Sequence, residues 1–172
     1  MKLSLNISLF IICLLALPSC SNNKRLTTND IATIEVTTPC SELGESDNTF
    51  FRANASATSS NINLSRDKAI NQARTQLAQK IIDNTKSAGT KYSSKHRNTD
   101  IKTFETVAND AIEMLLKDLS PTCEKYSETN GRYTTNIALE IERSKALDKI
   151  KSLLSSKIQE FDAETFATFF NE

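Results

Sequence analysis

Between Phe51 and Thr58 the chain alternates with period two, and the side that carries Phe51, Ala53, Ala55 and Ala57 is mostly small. Arg52, Asn54, Ser56 and Thr58 fall on the other side. This is the pattern of a strand with one buried face, and it predicts a strand over Thr49–Ser59. A face of alanines lets a helix lie close against the sheet. The next segment supplies one: Ala69, Ala73, Leu77 and Ile81 recur every four residues, with Ile70 and Ala78 beside them. That stripe predicts a helix from about Leu64 to Lys86, with Asn63 as its N-cap. Arg66, Lys68, Arg74, Gln76 and Lys80 belong to its solvated side. Small face against small stripe limits the fold to a sheet with a closely packed helix layer.

The remaining elements follow from the same reasoning. Ala88-Gly89-Thr90 is read as ending or interrupting the first helix, followed by a basic loop holding Lys86, Lys91, Tyr92, Lys95, His96 and Arg97. Such a loop is solvated, or attracts phosphate groups. Thr99 or Asp100 caps a second helix whose apolar face runs from Ile101 through Phe104, Val107, Ala108, Ala111, Ile112 and Leu115 to Leu119, stopped by Ser120-Pro121. Asn130-Gly131 is the strongest hairpin signal, because both central residues of the turn need positive φ. Its return strand carries Tyr133, Thr135, Ile137, Leu139 and Ile141 on one face. A plain two-residue turn sets Glu124 opposite Ile137 on the buried side; a bulge sets Cys123 and Lys125 there. A third helix is expected over Arg143–Glu160, then a tail with Phe166, Phe169 and Phe170. Those rings either close the core or form a contact patch for a partner or a second copy. Three Gly and three Pro in 172 residues suit long helices. The fold class is α+β: a small antiparallel sheet built from strand, long helix, second helix and β-hairpin, with a helix layer on one face and a C-terminal helix.

The N-terminal part has a different character. Leu3–Leu17 is nearly continuous hydrophobe behind Lys2, too short to span a bilayer comfortably. It ends at Leu17-Pro18-Ser19-Cys20, just where composition turns polar. This stretch resembles the bacterial lipobox, in which a peptidase recognises residues such as Leu17, Pro18 and Ser19 and cuts before a lipidated cysteine, here Cys20. The resemblance implies two or three acyl chains on the mature N-terminus, enough for stable anchoring. The expected organisation is a cleaved signal over 1–19, a lipid anchor and flexible tether over 20–30, and one α+β domain over 31–172. Within that domain, Ile31–Thr37 reads as a minor strand. Once Cys13 leaves with the signal and Cys20 takes lipid, Cys40 and Cys123 remain, in a compartment that permits disulfides. A bridge between them would stabilise by about 4 kcal/mol through loop closure; the other reading is two free, buried thiols.

The order of elements, with Phe51-Arg52-Ala53-Asn54-Ala55, the stripe Ala69, Ala73, Leu77, Ile81, and Asn130-Gly131-Arg132-Tyr133 leading into Ile137-Ala138-Leu139, resembles the twenty-kilodalton outer-membrane lipoprotein family. The same module is similar to the N-terminal domain of the flagellar T-ring protein. The resemblance covers residues 48–141 and leaves 142–172 as a helical tail. The chain lacks the family's usual Gly early in the first strand and the Trp often found before it. The resemblance implies a compact α+β domain and a non-enzymatic envelope lipoprotein, and it carries over no functional residue except Cys20.

Charge and residue types narrow function. Lys+Arg and Asp+Glu are each 21, so nothing marks a general nucleic-acid binder. One His, no Gly-x-Ser-x-Gly and no glycine-rich phosphate loop leave only carboxylate chemistry for an enzyme. Glu140 and Glu142 share a strand face, but a glycosidase pair sits about 5–9.5 Å apart across a cleft, and no cleft is predicted. No catalytic residue, cofactor or metal ligand is assigned. The leading expectation is a structural or protein-interaction lipoprotein, held to the membrane by lipid on Cys20 and engaging a protein partner or itself. The alternative is a lipoprotein that binds glycan, lipid or peptide through Arg52, Asn54, Ser56 and Tyr92. Ser21 after the cysteine, followed by Asn22, Asn23 and Lys24 rather than acidic residues, favours the outer membrane and its periplasmic face.

Overall fold

The computed structural model describes residues 39–43, 45–96 and 99–172, all within the unit Val36–Glu172. The signal, Leu17–Cys20, the tether and the expected strand at Ile31–Thr37 lie outside the described residues. A short 3₁₀ turn, Ser41–Leu43, precedes β1 (Phe50–Ser59), α1 (Ile62–Lys95), α2 (Ile101–Leu116), β2 (Cys123–Thr129), β3 (Arg132–Glu142), α3 (Arg143–Lys157) and α4 (Ala163–Asn171). The described sheet is antiparallel with order β1-β3-β2. The α+β class and the C-terminal helix are as the sequence predicts.

The alternation in β1 orients the sheet. Phe51, Ala53 and Ala57 are buried and pair with Ile141, Leu139 and Thr135 of β3. On this face α1 lays down its stripe of Ala69, Ala73, Leu77 and Ile81, each fully buried. Where a polar side chain enters the seam it finds a partner: Ser65 Oγ meets Thr135 Oγ1 at 2.7 Å.

Three expectations for α1 are corrected. Its N-cap is Asn61, not Asn63: Asn61 is extended, and its side chain accepts from Leu64 N. Gly89 neither ends nor interrupts the helix, which runs unbroken to Lys95, and the expected basic loop is its last turns. The stripe continues through Thr85, Ala88, Gly89 and Tyr92, all buried. Arg66, Arg74 and Lys80 are not simply solvated: they reach across the helix flanks to Glu124, the Leu119 carbonyl and the Arg52 carbonyl.

Asp100 caps α2 by accepting from Lys102 N, and Phe104, Val107, Ala108 and Ala111 face inward, whereas Ile101 is exposed. The hairpin uses the plain two-residue turn, with φ of 53° at Asn130 and 72° at Gly131. Glu124 therefore stands opposite Ile137 on the helix side, where Arg66 meets its charge, and Cys123 faces the other way opposite Ala138.

The third helix stops at Lys157 rather than Glu160, and the tail is itself helical, α4, capped by Asp162, which accepts from Thr165 N. Phe166 and Phe170 are fully buried. Phe166 stacks on Phe104 at 5.7 Å between centroids and lies 6.3 Å from Tyr92, while Phe170 meets Phe51 edge-on at 6.0 Å. Of the two readings open from the sequence, Phe166 and Phe170 take the first: they close the core and are not available as a contact patch. Full burial of such a ring contributes roughly 1.5–3 kcal/mol. Phe169 is half-buried under the Lys95 ammonium.

Candidate functional site

With one face of the sheet given to α1, the polar side chains gather on the other. Arg52, Asn54, Ser56 and Thr58 of β1 stand there with Asn136, Ala138 and Glu140 of β3 and Cys123 of β2. The segment around Cys40 covers part of this face and is fastened by the Cys40–Cys123 disulfide, with Cα atoms 5.6 Å apart. Cys40 is fully buried, and its Sγ lies 3.6 Å from the Asn136 carbonyl oxygen. Its backbone is left-handed at φ 70°, a conformation that disfavours a side chain, so the bridge holds this turn against a local preference.

Beside the bridge lies a niche of about 210 Å³ lined by Pro39, Ser41, Asn54, Ala55, Ser56 and Asn136. Asn136 pairs with Ser56 across the strands, and Asn54 is its diagonal neighbour on the same face. Asn136 is only 6% exposed. The Asn54 Oδ1 is buried and without a hydrogen-bond partner among the described residues. Leaving a buried polar atom unmatched costs about 1–3 kcal/mol, so the Asn54 oxygen sets the niche apart from the well-paired surface around it.

That surrounding surface is paired by charge. Arg52 reaches Glu140 through Nε at 3.0 Å and Asp47 through Nη1 at 2.5 Å, and Nη1 also donates to the Glu45 carbonyl. Asp47 Oδ1 accepts from Thr49 N and Phe50 N at 2.7 and 2.8 Å. The Arg52 hydrogen bond, with those two amides, lowers the Asp47 pKa from 3.8 to about 2. Glu140 is engaged with Arg52, and Glu142 occupies the N-cap position of α3. A wider groove of about 410 Å³ opens between Lys80, Asp83, Asn84, Phe51 and Arg143. Arg143 donates to the Asp47 carbonyl and to Asn84 Oδ1, and lies 4.1 Å over the Phe51 ring. Burial pushes its guanidinium pKa down from the usual arginine value.

The basic residues on α1 are engaged rather than gathered into an anion site. Lys86 pairs with Glu105, Lys91 with Glu172, and Lys95 lies over Phe169. Tyr92 is buried, its hydroxyl accepts from Asp162 N, and His96 stacks on its ring at 4.2 Å. Arg97 is outside the described residues. Tyr92 thus serves the core and does not join Asn54 and Ser56 in one binding surface. No group of three His, Cys, Asp or Glu side chains able to hold a metal ion occurs among the described residues.

Of the residues singled out in the sequence, the structure brings together Cys40 with Cys123, and Asn54 with Ser56. It buries Phe166 and Phe170, while Leu17, Pro18, Ser19 and Cys20 lie outside the described residues. Asn136, Asp47 and Arg143 were not anticipated. Asn136 alone left a signal: an amide entering the apolar run Ile137-Ala138-Leu139. Comparison with known proteins finds no matching family model, no matching curated protein and no matching solved structure.

Proposed function

We propose that this chain is a bacterial envelope lipoprotein, tethered by lipid on Cys20, whose α+β domain serves as a non-enzymatic protein-interaction module. The observation that carries the reading is the Cys40–Cys123 bridge. A disulfide of this kind persists in oxidising compartments outside the cytosol, the same side of the membrane to which a lipobox delivers a protein. A sequence separation of 83 between the cysteines makes the bridge a substantial part of the domain's stability, about 4 kcal/mol by loop closure. No described helix is long and apolar enough to cross a membrane, so a lipid on Cys20 is the attachment proposed. The order strand, long helix, helix, hairpin supports kinship with the twenty-kilodalton outer-membrane lipoproteins, and hence residence at the outer membrane on its periplasmic face.

Crosslinking in the native envelope tests this. A stoichiometric adduct with one protein, or with a second copy, is expected. A chain that stays strictly monomeric and unlinked contradicts the interaction role. The alternative, a ligand-binding lipoprotein, has one observation in its favour, the niche beside Asn54 and Asn136.

A further inference from the structure

We infer that the groove at Arg143 is a binding site for a carboxylate side chain presented by a protein partner; this rests on the interaction reading above and names one contact of that partner. Arg143 is held at several points. Its backbone N–H, where α3 begins, donates to the Thr49 carbonyl at 2.8 Å. Nε donates to the Asp47 carbonyl at 2.6 Å, and Nη1 donates to Asn84 Oδ1 at 3.2 Å. Asn84 is itself fixed, its Nδ2 donating to the Phe170 carbonyl at 2.9 Å. The guanidinium lies 4.1 Å from the centroid of the Phe51 ring. A planar fork held in this way loses little freedom when it pairs with a carboxylate.

What it lacks among the described residues is an opposite charge. Arg52 and Arg66 reach Glu140 and Glu124 at 3.0 and 2.6 Å. Both hydrogen bonds of the Arg143 side chain go instead to uncharged oxygens, and Nη2 has no partner among the described residues. The Asp47 carboxylate is turned to Arg52 and to the amides of Thr49 and Phe50. Arg143 is half-buried, and burial is costly for a charge left unpaired. The groove it lines, about 410 Å³, has room for an Asp or Glu side chain with its flanking backbone. Lys80 on the same lining is already paired with Glu45. Glu45 and Asp83 also line the groove, and they select among anions: fixed negative charges oppose a dianionic phosphate about twice as strongly as a monoanionic carboxylate.

The test is a titration of the full-length, ¹⁵N-labelled chain with acetyl-glutamate-amide, following the Arg143 Nε–H and the Asn84 side-chain NH₂ signals. Saturable shifts of both are expected, with none at the Nε–H of Arg66, whose guanidinium is already paired. Acetyl-glutamine-amide, of the same shape without the charge, should give no saturable shift. Arg143→Gln should weaken the affinity read at Asn84 about tenfold, the value of one charge-assisted hydrogen bond. Asp83→Asn changes an exposed position of α1 and should tighten the glutamate probe about threefold, the effect of removing one charge several ångströms away in water. Inorganic phosphate is the third arm. No saturable shift at Arg143, equal shifts with the glutamine probe, tighter binding of phosphate than of the carboxylate, or an affinity unmoved by Asp83→Asn each overturn the inference. If Arg143 stays silent while envelope crosslinks persist, only the site falls; if the glutamate probe binds while crosslinks are absent, the protein-partner reading falls instead.

Discussion

A Cβ placed on Gly89 would stand 2.5 Å from Cγ of Phe104. The glycine is not a break in α1 but a recess in its surface, and the Phe104 ring of α2 fills it. An alanine here gains about 1 kcal/mol of helix propensity. It loses more, because overpacking a tight contact costs about 1–3 kcal/mol. Gly89→Ala is therefore expected to lower stability, read from the urea midpoint. In a Phe104→Ala background, which removes Cγ and the ring, the penalty of the same change should shrink. A stabilised Gly89→Ala in the otherwise native chain would show that the ring does not occupy the recess.

Gly131 makes the opposite case. Nothing lies within 4 Å of a Cβ added there, but its φ is +72°. Gly131→Ala should lose about 1 kcal/mol through the backbone alone, and Gly131→Asn distinctly less, since Asn tolerates the left-handed region. Equal losses for the two would mean that the turn is not of the primed type.

The bridge from Cys40 to Cys123 pins the 39–43 segment to the outer face of the sheet. Replacing both cysteines with alanine should lower stability by about 4 kcal/mol, or on the order of 10 °C in Tm. Reductant should do the same to the native chain and nothing to the variant. An unchanged Tm would remove the bridge as a support of the fold.

Asp47 predicts the acid limb of stability. Its folded pKa, about 2, lies below the ordinary 3.8, so the stabilisation is present above 3.8 and is lost as pH falls towards 2. Asp162 shifts in the same direction through its hydrogen bonds from Thr165. Asp47→Asn should flatten the decline of the urea midpoint across that window, and Asp162→Asn should flatten it further. A variant with the native acid profile would show that Arg52 does not hold the carboxylate.

What could be read beforehand was whatever is written in local periodicity. The alternation around Ala53 and Ala55 set the faces of β1, Asn130-Gly131 set the turn, and the stripe through Leu77 and Ile81 set α1. What could not be read depended on distant neighbours. Gly89 looks like a helix stop until Phe104 is known to lie against it. Glu124 looks misplaced on a buried face until Arg66 is known to reach it. Phe166 and Phe170 could have faced either way, and only the cluster with Tyr92, Phe104 and Phe51 decides. The Asn54 and Asn136 niche needs two strands in register and a disulfide from a third segment, so no window of sequence contains it.

Lipid at Cys20 is measured most directly by the intact mass of the chain purified from its native membrane. The prediction is a polypeptide beginning at Cys20, heavier than its sequence by two or three acyl chains, with the Cys20→Ser protein lacking this mass and leaving the membrane fraction. A polypeptide with no lipid mass, and a Cys20→Ser protein that still fractionates with membranes, would contradict it.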